Sequence, residues 1–588
     1  MGVLLQAFYQ RGDRGVPCPL DGEPGAPFWW DRVAAQANAL RRAGFTAVWL
    51  PPVLKSNSGV ASAGYDPFDD YDLGSKNQKG QVSTRYGTRE QLARCVAMLR
   101  ANGLDVYVDF VENHRDGDTG PGTAVFHYVD ANGQVGDPRQ DGQGGRFPKF
   151  PSCFHFVPGG VPEDPNVFDD SAQFGRDLAP INGQPPGYVF QGLLDAADWV
   201  TRALDLQGFR IDDVKGISTD FLFPLLNNGA LAGKFAVGEF ADQNLSLVRN
   251  WVSNPNGMRG RASAFDFPLR GLLKQICNSV GFFDMSLLDH AGLAGIDPFH
   301  AVTFVENHDT DHGSVDAPIV RNKALGYAYI LTSEGYPSVY YKDYSTDPGC
   351  YGLKAVLDNL IWIHEKLADG TTQQRWKDHD VFAYERLGGL HLLVGLNNNG
   401  VSPRTVTVDT GFGANVALHD YTGHAGDIQT DGNGRATITI PTNQDGHGYV
   451  CYSRQGIGGD FSVQSQLVTQ DYEGAPDLDI KPADNTQFVQ ICRIWAATGT
   501  TIRGALNMDT MAWTEATRAV LALDDPDGNQ IGSKTHLRDT QRGEVLQSTA
   551  PRTGWHTFRI RSFDTPVDHP RPTYRLRVTY QAPQQGLD

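Results

Sequence analysis

The sequence has few cysteines, no long apolar run and no excess of positive charge. Its seven cysteines are scattered, odd in number and without CxxC spacing, which argues against both a zinc site and a disulfide framework. Because no run of about 18 apolar residues occurs, no membrane-spanning helix is predicted. The formal net charge of -18 argues against nucleic acid and anionic membranes as partners, since both repel an acidic surface.

The first residues also lack the features of a secretory signal. The run 2–9 is short and strand-like, with no basic segment before it and no cleavage site after it. We therefore expect a cytoplasmic protein, or a secreted one if a leader has been removed from the chain.

Up to residue 370, the sequence alternates short apolar runs with amphipathic stretches. Alternating βα units predict a parallel sheet, and eight of them indicate a closed (β/α)8 TIM barrel of the α/β class. An open doubly wound sheet is the alternative, but no glycine-rich phosphate turn follows the first strand. Thr88 and Gln91 form a capping-box pattern that predicts the start of a helix. The predicted strands are 3–9, 45–50, 104–111, 208–213, 234–240, 261–267, 302–305 and 337–341.

The remaining segments have a different composition. A polar stretch rich in glycine and proline interrupts the barrel pattern, and two later stretches alternate apolar and polar residues as antiparallel sandwiches do. A linker-like stretch at 454–470 separates these two. The predicted domains are a barrel of 1–114 and 191–372, a loop-rich insert after its third strand at 115–190, and β-sandwiches at 373–455 and 471–588.

Polar side chains concentrate at the ends of four predicted strands. In parallel barrels the active site lies at the carboxyl ends of the strands. A single carboxylate there is often only a helix cap, but four such strand ends in one barrel are much harder to explain in that way. In chain order the residues are Asp109, Asn113, His114, Arg210, Asp212, Glu239, Glu306, Asn307, His308 and Asp309.

Alternation along the fourth strand separates two neighbouring aspartates. Arg210 and Asp212 point to one face, whereas Ile211 and Asp213 point to the other. Burying an Arg–Asp pair is costly unless the pair is fully hydrogen-bonded or takes part in chemistry. Three converging carboxylates without a Cys/His cluster indicate glycoside hydrolysis, which needs a nucleophile or base and a carboxylic acid.

The four strand ends, in this order, resemble the four signature regions of the α-amylase family (glycoside hydrolase family 13). The resemblance covers residues 1–450 and implies a retaining endo-hydrolase of α-1,4-glucosidic bonds in starch, glycogen and maltooligosaccharides. Three further segments resemble bacterial α-amylases: Val48-Trp49-Leu50-Pro51-Pro52, the run from Gly64 to Gly74, and Tyr86-Gly87-Thr88.

The same resemblance implies a role for individual side chains. Asp212 is the expected nucleophile, Glu239 the general acid/base, and Asp309 the residue that binds the 2- and 3-hydroxyls and distorts the ring. Because the family retains anomeric configuration, the carboxyl groups of Asp212 and Glu239 are expected about 5–5.5 Å apart. The implied substrate-binding residues are Tyr65, His114, Arg210, Lys215 and His308.

A calcium ion is also implied, between the insert and the barrel. Its expected ligands are the side chains of Asn113 and Asp177 and the backbone carbonyl of Gly216, all oxygen donors that suit calcium. Two positions depart from the family pattern: Gly216 stands where a histidine is frequent, and Lys342 stands where a glycine is usual. These departures bear on substrate length and product pattern.

Several alternatives remain open at this level. A glucanotransferase or trehalose synthase would share every catalytic residue, and a non-catalytic glucan-binding protein could be built on the same barrel. The last sandwich could bind carbohydrate through Trp495, Trp513 and Trp555, although tryptophans in the core of a sandwich are the favoured interpretation. The expected partner is an α-glucan, and the expected assembly is a monomer.

Overall fold

A closed barrel of eight parallel strands forms the N-terminal part of the protein. The computed structural model describes residues 2–11, 14–116, 128–129, 135–136, 147, 149–157, 159–169, 176–474, 488–508, 518–537, 544–563 and 574–587. Neighbouring strands follow chain order, and the last strand pairs with the first. The barrel strands are β1 (Leu4–Gln6), β2 (Ala47–Leu50), β3 (Asp105–Phe110), β4 (Gly208–Ile211), β5 (Phe235–Gly238), β6 (Ser263–Phe265), β7 (Ala301–Phe304) and β8 (Tyr336–Tyr340).

The predicted barrel is therefore confirmed, with strands shorter than the apolar runs. β1 ends before Phe8 and Tyr9 because these two rings leave the sheet and pack edge-on against Trp49 and Trp29. No helix in the described part of the chain is long and apolar enough to cross a membrane.

Most of the helices connect consecutive barrel strands. The predicted capping box opens α2: Gln91 N donates to Thr88 Oγ1 at 3.3 Å, and Thr88 N donates to Gln91 Oε1 at 2.9 Å. Helix α7 starts at Lys323 and not at residue 318, because Asn322 has φ +50°, outside the right-handed helical region. The helices are α1 (Trp29–Ala43), α2 (Arg89–Ala101), α3 (Tyr188–Leu204), α4 (Thr219–Leu226), α5 (Leu245–Ser253), α6 (Phe267–Asn278), α7 (Lys323–Ile330), α8 (Tyr341–Tyr344) and α9 (Lys354–Leu367).

Short antiparallel pairs follow β2 and β3 in the chain. After β2, Lys55–Ser56 pairs with Pro67–Asp69. In the described part of the insert, His114–Arg115 pairs with Arg176–Asp177, which brings both ends of the insert to the end of β3. Tyr128–Val129 pairs with Val135–Gly136.

Antiparallel sheets make up the remainder of the described chain. The strands are β9 (Thr372–Lys377), β10 (Val381–Arg386), β11 (Leu392–Asn397), β12 (Arg404–Asp409), β13 (Ala417–Asp420), β14 (Ile428–Gln429), β15 (Arg435–Ile440), β16 (Tyr449–Arg454), β17 (Val468–Gly474), β18 (Val489–Ala496), β19 (Thr501–Met508), β20 (Arg518–Asp524), β21 (Gln530–Leu537), β22 (Glu544–Thr549), β23 (Gly554–Phe563) and β24 (Tyr574–Tyr580). The first group has the sheet orders β9-β10-β11-β16-β13-β14 and β12-β15, and the second group has the orders β17-β24-β19-β22 and β18-β23-β20-β21. The predicted domain boundaries stay predictions.

The second group of sheets packs against the barrel helices α2 and α3. The Arg94 guanidinium lies 5.1 Å from the ring centroid of Trp495 and 4.9 Å from that of Trp555. On α3, Arg202 pairs with Asp471 at 3.2 Å and with Glu473 at 3.0 Å. Trp495 and Trp555 therefore face the barrel, whereas Trp513 lies outside the described residues.

Candidate active site

Arg210 lies at the centre of the polar cluster. It stands on β4 in register with Asp109 on β3, and its side chain is 1% exposed. Its Nη1 donates to Asp109 Oδ1 at 2.7 Å and to Asp212 Oδ1 at 2.5 Å, while Nη2 donates to Glu239 Oε2. One buried guanidinium thus organises carboxylates from three consecutive strands.

The two neighbouring aspartates at the end of β4 separate as the alternation predicts. Asp212 continues the ladder, since its N–H donates to Phe110 O at 2.9 Å, and its carboxylate meets Arg210. Asp213 turns out of the strand with φ +37°, a conformation that Asn and Asp tolerate better than most residues. Only Asp212 of the two contacts Arg210 in the described hydrogen bonds.

The surroundings of Glu239 favour its protonated form. It follows β5, and its N–H donates to Ile211 O at 2.9 Å. Burial raises the pKa of the Glu239 carboxyl well above its usual value, and the charges of Asp309 and Asp212 raise it further against the opposing effect of Arg210. A protonated carboxyl beside a second carboxyl, Asp212, is the pair that acid-assisted nucleophilic substitution needs.

Asp309 is placed by a tight turn after β7. Asn307 Oδ1 accepts from Asp309 N at 3.0 Å and from Thr310 N at 2.8 Å, so the side chain of Asn307 stabilises the turn that begins with it. Burial raises the pKa of the Asp309 carboxyl, although Arg210 opposes this. His308 Nε2 lies 3.2 Å from Asp309 Oδ2.

The surroundings of His308 favour the neutral imidazole, and Gln6 orients it. Burial and the nearby Arg210 charge lower its pKa well below the usual value. Gln6 Nε2 lies 2.9 Å from His308 Nδ1, and because an amide nitrogen only donates, Nδ1 accepts and Nε2 carries the proton. The Nε2–H therefore points toward Asp309.

Tyr65 joins both histidines to the Arg210 cluster. Its ring stacks on His308 at a centroid distance of 5.1 Å, and its hydroxyl donates to Asp109 Oδ2 at 2.8 Å. His114 Nε2 donates to the Tyr65 carbonyl at 2.7 Å. The structure thus brings together four of the five predicted substrate-binding residues.

Lys215 is placed differently. Its ammonium lies 3.3 Å from Asp169 in the insert and 3.4 Å from Asp242 in the loop after β5. It therefore bridges two loops and does not contact the catalytic carboxylates in the described ion pairs.

Asp109 was assigned no role by the sequence, yet it is a full member of the site. Its Oδ2 accepts from Tyr65 and from Trp49 Nε1 at 3.2 Å, while its Oδ1 accepts from Arg210. Burial raises the pKa of Asp109 to about 7 against the opposing Arg210 charge. Asp109 is paired directly with Arg210 on the neighbouring strand, and strand pairing is not visible in a single sequence.

Of the three predicted calcium ligands, Asn113 lies against Gly216 and is hydrogen-bonded to the residue that follows Asp177. Leu178 N donates to Asn113 O at 2.9 Å, and a Cβ on Gly216 would lie 2.8 Å from Asn113 Oδ1. A carboxylate oxygen of Asp177 lies within 4.8 Å of ligand atoms of His155 and Glu163, two residues that the sequence did not suggest. The carboxylate, amide and carbonyl oxygens of the predicted set suit calcium, whereas an imidazole is a less typical ligand for it.

Known proteins are similar to this chain in sequence and in fold. The family model described as the α-amylase catalytic domain matches residues 30–130. The chain is 31% identical over 468 residues to a glucan 1,4-α-maltohexaosidase from a Bacillus species, covering 71% of this chain and 86% of the relative. It is 27% identical over 430 residues to a cyclomaltodextrin glucanotransferase from Geobacillus stearothermophilus, covering 68% and 57%. The solved α-amylase from Malbranchea cinnamomea shares the fold, with a TM-score of 0.56 at 20% identity, over 77% of this chain and 96% of that one.

Proposed function

Because this chain belongs to the α-amylase family of glycoside hydrolases, we propose that it cleaves internal α-1,4-glucosidic bonds with retention of anomeric configuration. The proposed substrates are starch, glycogen and maltooligosaccharides. The observation that carries the proposal is the shared contact of Asp212 and Glu239 with Arg210, combined with the raised pKa of Glu239.

In the first step, an Asp212 carboxylate oxygen attacks C1 of the sugar. The bond from C1 to the glycosidic oxygen breaks, and Glu239 gives its proton to that leaving oxygen. Arg210 holds Asp212 in line by the 2.5 Å hydrogen bond from Nη1. The result is a glycosyl ester on Asp212 and an ionised Glu239.

In the second step, Glu239 acts as a base. It takes a proton from a water that attacks C1, the ester bond to Asp212 breaks, and the acid form of Glu239 is restored. Two inversions at C1 leave the product in the α configuration.

Asp309 and His308 are proposed to hold the sugar hydroxyls next to the bond that breaks. His308 can donate from Nε2 because its imidazole is neutral and its Nδ1 is occupied by Gln6. Tyr65 and His114 complete this subsite. When bound by Asn113, Asp177 and Gly216, calcium would link the insert to the barrel and take no part in the bond changes.

The test is a product profile combined with proton NMR. Starch and maltotriose should give shorter oligosaccharides whose α-anomer appears first, whereas pullulan tests tolerance of α-1,6 bonds. Glu239→Gln should lower kcat by about 10²–10⁴-fold, the range that general acid/base groups supply. First appearance of the β-anomer, or reducing-sugar release unchanged in Glu239→Gln, would refute the proposal.

A transglycosylase on the same residues is the second candidate. The similarity to a cyclomaltodextrin glucanotransferase favours this candidate. In a transglycosylase, an acceptor sugar competes with water for the same glycosyl ester. Incubation with maltooligosaccharides decides between the two: products longer than the starting material indicate transfer, and shorter products alone indicate hydrolysis. A protein that binds glucan and releases no product would be the non-catalytic alternative.

The proposed assembly is a monomer with an α-glucan as its partner. Light scattering after size exclusion should give a mass near 64.3 kDa. A mass of twice that value would show a dimer instead.

A further inference from the structure

A buried ionic network lies directly behind the loop that carries His308 and Asp309. Glu306 begins this loop, and its carboxylate contacts Arg270 at 2.6 Å and Lys323 at 3.6 Å. Lys323 also contacts Asp343 at 2.5 Å. All of these side chains are almost completely excluded from solvent.

Asp311 lies near this network and forms its own ion pair, with Lys342. Its side chain is 0% exposed, and its Oδ2 accepts from Lys342 Nζ at 2.5 Å. Its Oδ1 accepts from the Tyr351 hydroxyl at 2.7 Å. Tyr351 N donates to the Lys342 carbonyl at 2.7 Å, so the three residues close a ring between the loops after β7 and β8. We call Asp311, Lys342 and Tyr351 the loop clamp.

Lys342 is the only cation in an ion pair with Asp311 among the described residues. Glu306 and Asp343 have Arg270 or Lys323 beside them, but neither of these cations pairs with Asp311. Removing Lys342 leaves the buried Asp311 carboxylate without an ion-pair partner among the described residues and with only the longer-range attraction of Lys323, which is unfavourable. Lys342 stands where the family pattern that the sequence resembles usually has glycine.

The loop clamp is connected by backbone hydrogen bonds to the turn that carries Asp309. Asp311 N donates to Asn307 O at 3.1 Å, and Asn307 Oδ1 in turn accepts from Asp309 N at 3.0 Å. His312 N donates to Asp309 O at 3.2 Å. Fixing the Asp311 side chain therefore fixes the residues on both sides of Asp309.

We propose that Lys342, through Asp311 and Tyr351, is a positioning residue that holds Asp309 and His308 in their productive arrangement. The inference rests on the proposed function, because it assigns a role within the same reaction. Asp309 is expected to act on the distorted sugar ring, so misplacing it weakens transition-state binding more than ground-state binding. Displacements of about 1 Å at such groups cost up to about 10²-fold in rate.

The test compares Lys342→Met with Lys342→Arg. We expect Lys342→Met to lower kcat for maltoheptaose about 10- to 100-fold with little change in KM, and Lys342→Arg to retain most of the activity. Adding Asp311→Asn to Lys342→Met removes the carboxylate that has lost its ion-pair partner and should recover part of kcat.

The chain offers a matched control in Lys354. Its Nζ contacts Asp358 at 2.6 Å and the Tyr344 hydroxyl at 2.7 Å, and that hydroxyl donates to Asp358. Lysine, aspartate and tyrosine thus combine as in the loop clamp, but no hydrogen bond among the described residues joins these three side chains to the turn that carries Asp309. Lys354→Met should keep kcat near the parent value.

Three outcomes overturn the inference: kcat of Lys342→Met within about twofold of the parent, an equal loss in Lys354→Met, or no rescue by Lys342→Arg.

Circular dichroism and the melting temperature establish that each variant is folded. If Lys342→Met does not fold, Tyr351→Phe removes only one hydroxyl at a half-exposed ring and must then lower kcat. A parent enzyme without activity on any glucan would instead refute the proposed function.

Discussion

At the scale of single residues, the site depends on how charge is distributed around Arg210. Three carboxyl groups contact one guanidinium, so they cannot all be ionised without repelling one another. Glu239 and Asp109 both have raised pKa values, Asp109 at about 7. The arrangement thus produces an acid from a residue type that is normally ionised at neutral pH.

Asp213 gives a way to test this charge balance without touching a catalytic group. Its charge raises the pKa of Glu239, and the first step needs Glu239 protonated, so kcat/KM falls as pH rises through that pKa. Asp213→Asn keeps a residue that tolerates φ +37° and should move this decline to lower pH by roughly 0.2–0.5 units. The measurement is kcat/KM against pH, with Asp195→Asn on α3 as the control. A decline that stays in place or moves to higher pH contradicts the assignment.

Asp109 is expected to serve both activity and stability. Asp109→Asn keeps the shape of the side chain but removes the charge that Asp109 carries above its pKa of about 7 and that faces Arg210 at 2.7 Å. We expect a loss of about 1.5–3 kcal/mol in the free energy of unfolding and a lower kcat/KM, because hydrogen bonds to charged groups are worth that much. Urea denaturation and initial rates measure the two effects. Asp105→Asn, at the half-exposed start of the same strand, removes only a surface ion pair with Arg100 and should change both values far less.

At the scale of elements, the insert is attached to the barrel by contacts near the end of β3. His114–Arg115 pairs with Arg176–Asp177, and Gly216 after β4 lies against the amide of Asn113. The predicted calcium ligands thus come from β3, the insert and the loop after β4. An ion at this place would connect three chain segments that otherwise meet through short strands.

Removal of calcium should therefore loosen the insert before it unfolds the barrel. We expect a chelator to lower the melting temperature and calcium to restore it, since a ligand that binds only the folded state stabilises it by mass action. Asp177→Asn should abolish the difference between the two conditions. Asp358→Asn on α9 should preserve it. An unchanged melting temperature in chelator would argue against the calcium assignment.

At the scale of the whole molecule, the last sandwich is attached to the side of the barrel. Arg94 of α2 lies between Trp495 and Trp555, and Arg202 of α3 pairs with Asp471. Rings that pack against a barrel helix are not presented to solvent as a platform for sugars. The structure therefore favours a stabilising role for these two tryptophans, while glucan binding elsewhere on this sandwich remains a hypothesis.

Trp495→Ala tests that role. Trp495 is 5% exposed, and truncating a buried tryptophan costs about 3–5 kcal/mol. We expect a lower melting temperature and unchanged adsorption to raw starch at temperatures where the variant is folded. Trp376→Ala, at an exposed ring on β9, should have little effect on the melting temperature. Loss of starch adsorption in folded Trp495→Ala would instead support a carbohydrate-binding surface there.

The sequence by itself predicted the barrel and the candidate catalytic groups. Short apolar runs alternating with amphipathic stretches predicted eight strands, and alternation along the fourth placed Asp212, not Asp213, beside Arg210, because side-chain direction along a strand is a local property. Strand ends of one barrel meet at one face, so the positions of Glu239 and Asp309 followed from topology.

Only the tertiary structure decided which distant side chains support these groups. Gln6 and His308 are 302 residues apart, and Arg210 and Asp109 are 101 apart, yet each pair shares a hydrogen bond. The pairing of Lys342 with Asp311 and the packing of Arg94 on two tryptophans have the same origin. Such contacts depend on register and on the packing of separate segments, which no local pattern encodes.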